Sequence, residues 1–125
     1  MSDISVVIAD DHPGFVGTVR QILAGVPGIR IVAECGNGTD ALAAIIGLSP
    51  EIAVLDVEMP GMDGIRLAAH LHRLRHQCRV LLLTMHNDIE FRIRAREARA
   101  FGYLLKDSAA TELVPAILAA RNQSG

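Results

Sequence analysis

The sequence has no long apolar run, no paired-cysteine motif and almost no net charge. No segment reaches the ~18 uninterrupted apolar residues of a spanning helix. The short run in MSDISVVIAD has no basic stretch before it, as a secretory signal would. The expectation is a soluble, cytoplasmic chain with no membrane contact. Cys35 and Cys78 lack CxxC spacing, so neither a zinc site nor a redox motif is indicated, and a reduced pair is expected. A net charge of −2 gives no support for this domain itself clamping nucleic acid. Lysine is scarce. Of twelve basic residues, eleven are arginine and one is lysine, Lys106.

What is present is apolar. Half of the 125 residues are hydrophobic, which excludes intrinsic disorder and suits one compact domain. At this size roughly 65–70% of the unfolded surface can be buried, so no disulfide or metal staple is needed. Five short apolar runs, at 4–9, 29–34, 52–56, 80–84 and 101–105, alternate with amphipathic stretches at 15–24, 39–48, 65–75, 89–98 and 111–120. Spread over 125 residues, five such units take 25 residues each, a compact βα repeat with short loops. Val6-Val7-Ile8-Ala9 and Val80-Leu81-Leu82-Leu83 read as strands covered on both faces. The second run, with Arg30 and Glu34, reads as an edge. The punctuation agrees. Gly25-Val26-Pro27-Gly28 and Ser49-Pro50 end the first two helices, Asp63 caps the third, and Asn87 or Asp88 caps the fourth. Pro115 should kink the last helix or mark a late start. The class is a doubly wound α/β sheet.

In such sheets ligands bind outside the carboxyl ends of the strands. The first strand delivers Asp10-Asp11 there, the second Cys35-Gly36-Asn37-Gly38, the third Asp56, the fourth Thr84 and the fifth Lys106. Three carboxylates packed together repel, and burial makes each costlier. Set against one ammonium they leave two negative charges, which one divalent cation neutralises. Oxygen donors and water suit Mg²⁺. A carboxylate beside a hydroxyl, an ammonium and a metal is a receptor for a phosphoryl group, since carboxylates form aspartyl phosphates. A lysine can follow the phosphate as a mobile point charge where a rigid guanidinium fork would not.

Asp10-Asp11-His12-Pro13, Asp56-Val57-Glu58-Met59-Pro60-Gly61-Met62-Asp63-Gly64, Thr84 and Gly102-Tyr103-Leu104-Leu105-Lys106-Asp107 together resemble a response-regulator receiver domain of two-component signalling. The resemblance covers essentially the whole chain. Within the family, DDHP, LTMH and GYLLKD are most similar to the NarL/LuxR-type subgroup, whose members carry a C-terminal helix-turn-helix effector. It implies a flavodoxin-like, five-stranded parallel sheet of order 2-1-3-4-5 with five helices. It implies one receiver domain over 1–125, with a DNA-binding effector outside this chain; the alternative is a stand-alone receiver acting as a phosphorylation-dependent interaction module.

The residue roles are those the resemblance implies. Asp56 is the phosphoacceptor. Mg²⁺ or Mn²⁺ sits on Asp11, Asp56 and the Glu58 backbone carbonyl, with Asp10 acting through water. Thr84 and Lys106 hold the phosphoryl group. Thr84 and Tyr103 form the switch, and the fourth helix, fifth strand and fifth helix form the output face. The implied partners are a sensor histidine kinase and a second copy meeting through that output face, with DNA reached only through the effector. The chain is not expected to be an enzyme beyond catalysing its own phosphorylation and dephosphorylation.

Other readings compete. Asp88 and Arg92, and Glu90 and Arg94, have the i,i+4 spacing of surface ion pairs, so the arginine cluster reads as a solvated helix face or a protein contact. His12 reads as a loop-shaping residue. His72 and His76 have the spacing of a zinc-binding pair on the third helix but no third ligand. Met59-Pro60-Gly61-Met62 reads as a turn that aims the loop after Asp56. Glu58 and His86 flank the site and are expected to tune the acyl phosphate's lifetime. A phosphohydrolase of the haloacid-dehalogenase kind would need a different pattern after Asp56. A flavodoxin-like cofactor binder would need a phosphate-cradling loop after the first strand. A receiver that never takes phosphate would not need the full Asp10, Asp11, Asp56, Thr84, Lys106 set. Two departures from the family pattern stand out: Asp107 follows Lys106 in place of the wider family's proline, and Arg99 stands where the subgroup commonly has glycine.

Overall fold

The computed structural model describes residues 3–122. Strands β1 (Ile4–Ala9), β2 (Ile29–Cys35), β3 (Ile52–Asp56), β4 (Arg79–Thr84) and β5 (Gly102–Leu105) alternate with helices α1 (Pro13–Ala24), α2 (Gly38–Leu48), α3 (Gly64–Arg73), α4 (Ile89–Glu97) and α5 (Ala109–Asn122). All pairs are parallel, in the order β2-β1-β3-β4-β5, as the family pattern implies.

The period of two along each strand divides the interior in two. Val7, Ala9, Ala53, Leu55, Val80 and Leu82 face one way, against α2, α3 and α4. Val6, Ile8, Ile52, Val54, Leu81 and Leu83 face the other way, against α1 and α5. Apolar side chains on both faces are what make these strands read as continuous apolar runs. β2 is an edge, half-buried along its length apart from the exposed Arg30 and Glu34. Arg20 of α1 covers that edge with a two-pronged bond to Glu34, at 2.7 and 2.6 Å. The pair raises the Arg20 guanidinium and lowers the Glu34 carboxyl.

The helix ends follow the side chains. Asp63 Oδ1 accepts the Arg66 N–H at 2.7 Å and starts α3. Of the two cap candidates before α4, Asp88 takes the role, accepting the Glu90 N–H at 2.8 Å. Three sequence expectations need correction. First, α3 ends at Arg73 and not at position 75, so His76 lies beyond it. His72 and His76 are therefore not a pair on one helix, and His76 Nδ1 accepts the Cys78 N–H at 3.0 Å. Second, α5 starts two residues before the expected 111, after a 3₁₀ turn at Lys106–Ser108, and runs through Pro115. Pro115 and Thr111, whose carbonyl loses its N–H partner, are both exposed, which lowers the cost of that loss. Third, neither i,i+4 ion pair forms on α4. Asp88 is spent as the cap, while Arg92 reaches Asn87 Oδ1 at 3.3 Å and lies 4.9 Å over the Tyr103 ring. Arg94 lies 5.8 Å over Phe91.

Candidate functional site

The sheet delivers its polar residues to one edge. β3 and β4 end on Asp56 and Thr84 themselves, Asp10 follows β1 and Lys106 follows β5. Asp10 extends the ladder by one bond, its N–H donating to the Cys35 carbonyl at 3.0 Å. Among the described residues, the buried polar and charged side chains are Asp10, Thr84, Asp56 and Lys106, at 3, 1, 5 and 8% exposed. The four residues that interrupt an otherwise apolar interior are thus four that the sequence marked at strand ends. Buried charge is costly unless partnered, so such a concentration signals chemistry more than stability.

Lys106 is central. Its Nζ lies 2.7 Å from Asp10 Oδ2 and 3.5 Å from Asp56 Oδ2, and 4.5 Å over the Phe15 ring. One ammonium against two buried carboxylates is not enough. Burial, and then the Asp10 charge, raise the Asp56 carboxyl to about 7, against the pull of Lys106 and the Glu58 N–H. That N–H reaches Asp56 Oδ1 at 3.4 Å.

Asp10, Asp11, His12 and Asp56 each bring one ligand atom into a cluster whose atoms all lie within 4.8 Å of one another. Asp11 is the most exposed of the three carboxylates, and its Oδ1 lies 3.1 Å from His12 Nδ1. His12 also holds Asp10 Oδ1 through its N–H at 2.9 Å, which fits the loop-shaping reading. Carboxylate oxygens in excess of positive charge suit a hard divalent cation such as Mg²⁺ or Mn²⁺, and the elevated Asp56 carboxyl reflects the same excess.

Thr84 and Tyr103 stand on the α4 side. Thr84 Oγ1 accepts the His86 N–H at 3.1 Å, and the Tyr103 hydroxyl donates to the His86 carbonyl at 2.8 Å. Both are thereby tied to the loop between β4 and α4. Burial raises the Tyr103 phenol, and Thr84 and Arg92 partly offset this. The Thr84 hydroxyl is engaged with that loop in this state, not with Asp56 or Lys106. Glu58 turns its side chain outward, and its Oε1 meets His86 Nε2 at 3.1 Å. The two flanking residues therefore bridge the β3–α3 and β4–α4 loops.

Two glycines, both within quoted motifs but with no packing role foreseen, set the loop after Asp56. A Cβ on Gly64, the first residue of α3, would collide with the Asp56 carbonyl and meet Leu82 Cδ2 at 2.9 Å. A Cβ on Gly38 would collide with the Met62 carbonyl, and the Gly38 N–H donates to the Pro60 carbonyl at 3.2 Å. The Met59-Pro60-Gly61-Met62 turn does aim this loop, with Gly61 at φ 82°. Only the DG pair at 63–64 hinted at the first contact; nothing in the sequence pointed to the second.

The response regulator receiver domain model matches residues 6–118. The transcriptional regulatory protein NarL of Mycobacterium tuberculosis is 39% identical over 115 residues, covering 92% of this chain and 53% of that protein. The chain spans about half the length of the curated relatives it matches. Among solved structures, the signal receiver domain of NarL from Mycobacterium tuberculosis is 37% identical, with a TM-score of 0.94 over 98% of this chain and all of that one. The isolated receiver domain of RcsB from Salmonella enterica serovar Typhimurium, in the presence of the phosphomimetic BeF3−, has a TM-score of 0.89 at 27% identity, over 98% of this chain and 91% of that one.

Proposed function

This chain belongs to the response regulator receiver family, among its NarL-type members, and from that premise we propose that it is a phosphorylation switch whose acceptor is Asp56. The observation that carries the reading is that Asp10, Asp56, Thr84 and Lys106 are the buried polar side chains among the described residues and gather at the carboxyl edge of the sheet. The donor is a phosphohistidine on a sensor kinase. An Asp56 carboxylate oxygen attacks the phosphorus, the P–N bond breaks and a P–O bond forms.

Asp56 must be ionised to attack, and Lys106 and the Glu58 N–H favour that form. Lys106, set between Asp10 and Asp56, then follows the phosphoryl oxygens. Mg²⁺ or Mn²⁺ would be held by Asp11, Asp56 and the Glu58 carbonyl, with Asp10 through water, and supplies the charge that offsets the incoming phosphoryl group. Thr84 Oγ1 accepts the His86 N–H, so its own O–H can donate to a phosphoryl oxygen, and a movement toward that group draws on the His86 loop. The Tyr103 hydroxyl hangs from the same residue. Phosphorylation thus pulls on one loop that holds both switch residues, and the α4-β5-α5 face moves with it. Output passes through that face, by pairing with a second copy, to a DNA-binding effector. The chain's only catalysis is of its own phosphorylation and dephosphorylation.

The test is incubation with Mg²⁺ and acetyl phosphate, read by intact mass. One phosphoryl group should add to the wild type and none to Asp56→Ala. A label that survives Asp56→Ala overturns the assignment.

A further inference from the structure

On the sheet edge opposite the acidic site, an open groove of about 1200 Å³ runs past the amino ends of β3 and β4 and the carboxyl ends of α3, α4 and α5. It is lined by Arg75, Arg79, Arg96, Arg99 and Arg121. Nearly half of the eleven arginines thus gather in one concavity. The acid that lines it, Glu51, is engaged by Arg121, Nε to Oε2 at 3.6 Å. Leu74 and Phe101 give it an apolar lining, at 52 and 36% exposed.

Basic residues near helix carboxyl ends have an ordinary electrostatic reason, the negative end of the helix dipole. That accounts for these arginines one at a time. It does not account for the backbone beneath two of them. Among the described residues, the non-glycine residues with positive φ are Ser49 (47°), Arg75 (56°) and Arg99 (66°), and all three line this groove. Arg75 and Arg99 each sit just past a helix, where the chain reverses through a paired turn. The Arg75 and His76 N–H groups donate to the carbonyls of His72 and Leu71, and those of Arg99 and Ala100 to Arg96 and Ala95. Glycine is the least costly residue at both positions. A dipole can be met from the last helical turn, with no arginine in a left-handed conformation. Backbone strain retained at one place twice over points to a use there.

We propose that this groove docks an acidic peptide segment of a partner protein, whose carboxylates meet the arginines and whose apolar side chains meet Leu74 and Phe101. A guanidinium grips a carboxylate through two parallel hydrogen bonds. A short acidic segment lies wholly within the basic patch. A long nucleic acid would run past it onto a chain of net charge −2.

The test is titration of the ¹⁵N-labelled 125-residue chain, at low salt, with a synthetic peptide alternating Glu, Asp and Leu, and separately with oligothymidylate. The peptide should shift the amides of Arg75, Arg96, Arg99 and Phe101 saturably, and the oligonucleotide should bind them more weakly. The double variant R75G/R99G should bind the peptide about tenfold or more weakly, yet melt at a higher temperature, because glycine relaxes both left-handed residues. The proposal is overturned if the peptide leaves these amides unmoved or if oligothymidylate binds there as tightly. It is equally overturned if R75G/R99G binds undiminished, or if it melts lower, which would make the arginines structural.

Discussion

Lys106 Nζ lies closer to Asp10, at 2.7 Å, than to the proposed acceptor Asp56, at 3.5 Å. The chain's single ammonium is therefore parked on a neighbour of the acceptor and has a carboxylate to leave when a phosphoryl group arrives.

Lys106→Ala strips the only positive charge from that buried cluster. Loss of one member of a buried ion pair is costly, but Asp56 can take a proton instead, so the expected loss is about 1–3 kcal/mol in metal-free urea unfolding. Asp56 should still accept phosphate from acetyl phosphate. The chemical-shift changes that follow on α4 and β5 should be blunted. Normal shifts in the variant would show that Lys106 plays no part in switching.

The elevated Asp56 carboxyl has a signed consequence. Its value is 3.8 unfolded and about 7 folded. Between those values the folded chain holds the extra proton, so this group's contribution to stability is complete below about pH 4 and is lost as pH rises through about 7. In chelator-containing buffer Asp56→Asn should match the wild type near pH 4 and exceed it near pH 8, by on the order of 2 kcal/mol. Mg²⁺ should then raise the wild-type melting temperature near pH 8 more than that of Asp56→Asn. Equal responses to pH in the two proteins would remove the buried-carboxylate account.

Glu58 and His86 touch at 3.1 Å across the mouth of the site, each anchored through its own N–H to a site side chain. Exposed pairs add little stability, so we expect this one to act by screening the proposed acyl phosphate from water. The double variant E58A/H86A should keep its melting temperature and lose phosphate severalfold faster. An unchanged half-life, timed by intact mass after removal of acetyl phosphate, would rule this out.

Gly64 leaves no room for a Cβ beside the Asp56 carbonyl. Gly64→Ala must push α3 away from β3, at a cost of about 1–3 kcal/mol, and should slow phosphorylation by shifting Asp56. A variant as stable and as fast as the wild type would mean that this contact is slack.

The residues at the strand ends were legible because the sheet's period of two and its short loops leave each strand one place to stop. Asp56 and Thr84 could be placed without knowing any contact. The glycine missing at Arg99 was visible in the sequence too, and the backbone there is left-handed, at φ 66°. The same exception hid the end of α3, because Arg75 occupies the position where glycine would have announced a stop. Of the ion pairs expected on α4, the one from Asp88 to Arg92 failed partly for a tertiary reason. Arg92 finds the ring of Tyr103, which reaches it from β5, and helix spacing carries no trace of such a neighbour. The Glu58–His86 bridge likewise joins two loops that only the folded sheet brings together.

The central claim is that one carboxylate among several takes the phosphoryl group. Borohydride reduces an aspartyl phosphate to homoserine, which marks the acceptor in the chain. After treatment with acetyl phosphate and Mg²⁺, reduction and peptide mapping should find homoserine at position 56 and at no other. Homoserine at 10 or 11, or none at all in a chain that had gained a phosphoryl group, would contradict the account.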